Sequence, residues 1–280
     1  MTFSEVVTVT GTPQLVLATG TSTSVDYTSG TGSTVLTFNY TVAEGHSSSD
    51  LDYVNTTSLS GTIKDAAGNN ANLTLASPGA ANSLGNNKTL VIDGIRPTVS
   101  NVNSDKTNGS YKEGVPIDIK VTFDDIVTVT GIPQLTLETG SSDAVVDYNS
   151  GSGTTVLIFT YTVASPHTSS DLDYQSINAL ALNSGTIKDA SGNAASLTLA
   201  TPGATNSLGA NKALIIDTTV PTILSVTSTK DNGSYKAGDI IPITVTFSED
   251  VTVTGAPTLK LETGSSDAIV NYTTGTGPAS

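Results

Sequence analysis

The chain has 280 residues, 36% hydrophobic and 13% charged, with 11 basic residues against 25 acidic ones and a net charge of −14. That length suits about two domains, and that charge repels phosphate backbones and anionic headgroups, so neither nucleic acid nor membrane insertion is expected of it. Cysteine is absent, which excludes disulfide staples, and no run reaches the roughly 18 apolar residues of a membrane-spanning helix.

From the start, "MTFSEVVTVT" has neither the basic segment nor the apolar stretch of a signal peptide and reads as the interior of a repeat. "VTVTGTPQLVLATG" (Val7–Gly20) returns as "VTVTGIPQLTLETG" (Val127–Gly140) and as "VTVTGAPTLKLETG" (Val251–Gly264). The 33 residues Gly61–Asp93 return almost unchanged as Gly185–Asp217, 124 positions later. A period of that size is a whole domain rather than a solenoid turn. Asp, a spacer and Pro close "VIDGIRPTV" and "IIDTTVPTI", and proline holds the residue before it extended. The joins therefore fall near Gly94–Pro97 and Thr218–Pro221. Three units follow: 1–95, lacking its first strands; 96–219, complete; and 220–280, the first half of another.

Within the complete unit, apolar and polar residues alternate over Ile117–Asp125, Leu135–Thr139 and Val156–Val163, and again over Ile243–Asp250 in the third. This predicts half-buried antiparallel strands. Turn clusters separate them, among them "TNGSYKEG", "NSGSG" and "DASGN", and Asn-Gly predicts a tight hairpin. No segment shows a sustained helical period; "SSDLDY" is expected to hold one short helical turn. Seven to nine short strands in about 124 residues predict a β-sandwich. "SSDLDY" (Ser48–Tyr53 and Ser169–Tyr174) follows a strand in two copies, at the place where an immunoglobulin-type sandwich puts a corner tyrosine.

Those residues, with "PTILSVTSTKDNGSYKAGDIIPITVTFSEDVTVTG", "GTIKDASGN" and "LGANKALIIDTTVPT", carry a resemblance over the whole chain. It resembles the tandem immunoglobulin-like repeats of giant bacterial cell-surface adhesins, of the swimming-motility-associated type. The resemblance implies an all-β chain of tandem immunoglobulin-like antiparallel β-sandwich (Greek key) domains, at an extracellular, cell-surface location. It implies a non-enzymatic spacer whose partners are neighbouring repeats of the same array. Two alternatives are repeats that themselves hold a glycan or protein ligand, and an accessory region of a large secreted enzyme.

Candidate chemistry is sparse. Oxygen-only ligands at flexible spacing suit calcium, and the acids placed for it are Asp93 and Asp217 at the joins, Asp65 and Asp189 on a hairpin, and Glu5, Asp124, Asp125 and Glu249 at a strand end. The same hairpin acids equally suit caps of their own turns. Asp50 and Asp52, and Asp171 and Asp173, are paired acids, the equipment of a glycosidase; without tryptophan beside them they read as a structural corner. His46 and His167 read as solvated turn residues, and Tyr111 and Tyr235 as caps over the sandwich end. The incomplete first and last units are complementary, so head-to-tail self-association by strand donation is expected.

Overall fold

The computed structural model describes residues 1–275, so the last five residues of the third unit as drawn from the sequence lie outside it. The chain is almost entirely β, in several mostly antiparallel sheets. It divides into two compact units, Met1–Ile216 and Asp217–Ser280. The first holds the first two repeats and the second holds the third.

The middle repeat shows why alternation makes this fold. In strand Pro116–Thr130, Ile117, Ile119, Val121, Phe123 and Val127 point one way and are at most 2% exposed. Strand Thr154–Thr162 pairs with it antiparallel, Ile119 opposite Phe159 and Val121 opposite Leu157, so each inward residue has an inward neighbour. The strand order is Leu180–Ala181, Gln134–Leu137, Ala144–Ser150, Thr154–Thr162, Pro116–Thr130 and Thr186–Lys188, with Val99–Ser104 also on Pro116–Thr130. Pro116–Thr130 changes partner along its length, leaving Thr154–Thr162 for Thr186–Lys188 after an irregularity between Thr122 and Val127. Such a bend lets one strand serve two layers. The inward residues of all these strands, with Leu172, Tyr174, Leu199, Leu208, Leu214 and Ile216, form one sandwich-like core.

The first repeat uses the same plan with fewer pieces. Strand Thr2–Thr19 pairs antiparallel with Thr21–Ser29, Ser33–Val35 and Leu59–Lys64. Its core is split into two smaller clusters around Leu36 and around Leu17. In the third repeat, Ile223–Ser228 pairs with Ile243–Phe247, and Thr258–Leu261 with Ala268–Asn271.

Two local expectations need correction. "SSDLDY" holds no helix; its first residue closes a two-residue strand, Ser47–Ser48 or Thr168–Ser169. The helices are single turns elsewhere, Leu84–Asn87 and Leu208–Asn211. Each is started by a serine, Ser83 or Ser207, whose hydroxyl accepts from the amide three residues on, an N-cap that needs no long period behind it. Finally, Asn108-Gly109 does not turn a hairpin. It feeds strand Gly109–Tyr111, which runs parallel to Leu214–Asp217 at the far end of the repeat.

Candidate functional site

The join between the first two repeats concentrates the side-chain chemistry. Asp93 ends strand Ile92–Asp93. Its Oδ1 accepts from the Ile95 amide at 3.1 Å, an Asx turn that bends the chain into the linker. Its Oδ2 accepts from the Ser191 hydroxyl of the next repeat at 2.7 Å, and its backbone carbonyl accepts from Asn193 Nδ2 at 3.1 Å. Both donors stand on the turn of hairpin "DASGN". That turn is rigid because Asp189, 6% exposed, accepts from both the amide and the side chain of Asn193, each at 2.8 Å.

The rest of the linker is tied on both sides. Gly94 and Gly45 exchange hydrogen bonds with the first repeat, Gly94 N to His46 O and Gly45 N to Gly94 O, both at 2.8 Å. A Cβ on Gly94 would lie 2.3 Å from Ala43 O, so only glycine lets the chain pass there. Arg96 pairs with Glu44 at 3.3 Å. Beyond Pro97, Thr98 gives both its amide and its hydroxyl to Asp124, at 2.7 and 2.6 Å. Partial burial works against charge on Asp124, but these donors outweigh it and hold its carboxyl below the usual range.

The other acids expected at a cation site are scattered. Asp125 accepts from the Ile126 amide at 2.6 Å, and Glu5 is exposed. Asp65 is held by Asn69, which lowers its carboxyl pKa, in the same hairpin geometry as Asp189. Asp217 accepts from the Thr219 amide at 2.9 Å, repeating the Asx turn of Asp93. Glu249 Oε1 is enclosed without a hydrogen-bond partner among the described residues. Among the described residues no three His, Asp or Glu gather as metal ligands would. Where Asp93, Asp189 and Asp124 do come near the join, their oxygens face N–H and O–H donors rather than one another.

The paired acids of "SSDLDY" separate by role. Asp52 and Asp173 are each 8% exposed, whereas Asp50 and Asp171 are exposed. Asp173 accepts from the Tyr174 and Gly203 amides, both at 2.9 Å, and Asp52 from Tyr53 and Gly79 at 2.9 and 3.0 Å. Burial pushes the Asp52 carboxyl up, yet the Gly79, Tyr53 and Gly85 amides with the Ser83 hydroxyl together bring it below the ordinary value. The neighbouring tyrosines donate across the connection, Tyr53 to Ala76 O at 2.7 Å and Tyr174 to Ala200 O at 2.6 Å. These acids pin a loop.

The histidines are not solvated turn residues. Each is half-buried and stacks on a tyrosine six residues before it, His46 on Tyr40 and His167 on Tyr161, with ring centroids 5.8 Å apart. Each ring also shares a hydrogen bond with that phenol, at 2.9 and 3.0 Å. The only signal in the sequence was their fixed spacing of six residues. Tyr111 does cap the core of its repeat, its hydroxyl donating to Thr107 O.

No family model, curated protein or solved structure matches the chain. Ser191 and Asn193 are the functional residues that sequence reasoning missed. Ala67 stands where Ser191 stands in the other copy, and that difference was the available signal.

Proposed function

We propose that the chain is a non-enzymatic spacer, a run of immunoglobulin-like Greek-key sandwiches from an extracellular bacterial surface adhesin that holds other modules at a distance. The observation that carries this reading is the join. Asp93 spans two repeats through Ser191 and Asn193, and a four-residue linker is anchored at both ends. An enzyme gains little from such a device; an array that must transmit length without folding back needs one at every boundary. The corner tyrosines Tyr53 and Tyr174 support the immunoglobulin-like topology. The net negative charge of −14 keeps neighbouring arrays apart.

Small-angle scattering of the 280-residue chain tests this, with Asp93→Ala compared to the parent and each measured with and without a calcium chelator. The spacer reading expects Asp93→Ala to broaden the distribution of dimensions while circular dichroism stays unchanged. An Asp93→Ala profile superimposable on the parent overturns the lock. The same experiment decides the calcium expectation: a loss of maximum dimension on chelation requires a cation at the join, and an unchanged profile leaves the hydrogen bonds as the stiffening element.

A further inference from the structure

The hydrogen bonds around His46 fix where its proton sits. Nδ1 accepts from the Ala43 amide at 3.3 Å and lies 2.9 Å from the Tyr40 hydroxyl. An amide nitrogen can only donate, so Nδ1 is the bare nitrogen, the phenol donates to it as well, and the ring proton is on Nε2. Nε2 faces the Thr23 hydroxyl at 3.3 Å, which in turn lies 2.6 Å from the Thr19 hydroxyl. Burial raises the Tyr40 phenol, so that group keeps its proton to donate. The complete middle repeat makes the same ring pair with Tyr161 and His167.

The backbone of this turn grips the linker to the next repeat. His46 N donates to Ala43 O at 3.1 Å and closes the turn; on its outer side His46 O accepts from Gly94 N, and Gly45 N donates to Gly94 O, both at 2.8 Å. Ser47 follows and pairs with Asp93, whose carboxylate reaches Ser191 of the middle repeat at 2.7 Å. The charged groups around the turn already have partners. Glu44 within it and Arg96 of the linker pair with each other at 3.3 Å, and Asp93 is held by the Ile95 amide and the Ser191 hydroxyl. Strand Thr21–Ser29 presents the uncharged Thr23 to the ring.

A second proton has no acceptor on this ring. It would enter at Nδ1 and point at the Ala43 N–H, donor against donor, and the Tyr40 O–H would have to swing away. We infer that His46 is a pH-sensitive latch on the join between the first two repeats. Neutral, it holds the turn of residues 43–46 closed on Gly94; charged, it releases the turn, and the grip on the linker eases while both repeats stay folded. The join is therefore firm at pH 8 and looser at pH 5, the interval over which histidine side chains gain charge. The middle repeat carries His167 without the same reach, since Pro166, which has no N–H, stands where Gly45 does, Ser165 where Glu44 does and Val220 where Arg96 does. The inference goes beyond the spacer reading and does not rest on it, because the latch acts at one boundary whatever the array does.

The test is amide hydrogen exchange at Gly45 and Gly94 in the 280-residue chain, followed by nuclear magnetic resonance at pH 8 and pH 5 and corrected for the intrinsic pH dependence of exchange. The parent should lose about tenfold in protection at pH 5, the effect of one hydrogen bond. In His46→Asn the side-chain carbonyl takes the place of Nδ1 as acceptor and never takes a proton, so protection should match the parent's at pH 8 and persist at pH 5. His167→Asn should leave the parent's response intact. A parent whose protection is the same at both pH values, or a His46→Asn chain that falls in step with the parent or is already unprotected at pH 8, overturns the latch. The second measurement needs no change at His46: nitrogen-15 shifts of the imidazole, assigned with the His167→Asn chain, should show a bare Nδ1 at pH 8, and a proton on Nδ1 there overturns it as well.

Discussion

Asp173→Ala asks how much a buried carboxylate that holds a loop contributes to the middle repeat. Asp173 accepts two amides, Tyr174 N and Gly203 N, at 2.9 Å each. A hydrogen bond to a charged group contributes about 1.5–3 kcal/mol, and an abandoned buried donor costs on that order. Two such donors give about 3–6 kcal/mol. Because Asp173 is 8% exposed, water reaches part of the gap, and about 3 kcal/mol is the expected loss. If the first two repeats melt together, that lowers Tm by about 6–12 °C. The measurement is urea unfolding followed by near-ultraviolet circular dichroism, with Asp171→Ala as the matched control. Asp171 is exposed, so its loss should stay within about 0.5 kcal/mol. A loss below about 1 kcal/mol for Asp173→Ala, or equal losses for the two acids, would refute the assignment of a structural role to the second acid alone.

Further outcomes follow from other contacts. Burial pushes Tyr161 and Tyr174 up to about 12, with the Asp173 charge adding to the latter. The folded state therefore keeps these protons longer than the unfolded chain; the stability they give is whole below about pH 10 and drains away as pH climbs through about 12. In a chain of nine tyrosines and no tryptophan, tyrosinate absorbance should show a late phase that shrinks in Tyr161→Phe and in Tyr174→Phe. Asp52 has a depressed carboxyl, so its contribution is present above about pH 4 and disappears as pH falls through the folded value; the urea midpoint of Asp52→Asn should change less than the parent's between pH 5 and pH 2. Gly151→Ala should cost at least about 2 kcal/mol, because φ is +111° there and the added Cβ would lie 2.0 Å from Val156 O. Leu157→Ala, at a position 0% exposed, should cost about 3–4 kcal/mol by the same unfolding assay.

What could be read from the residues was what short spacing encodes. Ile117, Ile119 and Val121 announce a strand because their neighbours are polar, and the structure buries all three. The Asp and Pro of "VIDGIRP" mark a join because both act on the next few residues. The single-turn helices escaped because Leu208–Asn211 is too short to show a period; a serine cap and one buried leucine hold it. Strand Gly109–Tyr111 escaped for a different reason. Its ladder partner lies more than 100 residues away, while Asn-Gly spoke locally for a hairpin. The lock at Asp93 is also long-range, its partner hydroxyl 98 residues on. An acid at a domain end looks the same in the sequence whether a cation or a serine faces it, so the spacing of Asp93 alone does not name its partner.

The split ownership of that lock has a mechanical corollary. One half, the Asx-turn aspartate, belongs to the upstream repeat; the other, the serine and asparagine of the hairpin, belongs to the downstream one. The first repeat's own hairpin has Asn69 but Ala67 in place of the hydroxyl, so a module docked against it would be gripped by one side chain where the middle repeat offers two. The grip at a boundary of such an array would then vary with the residue at this one hairpin position, by the one hydrogen bond that a serine adds there.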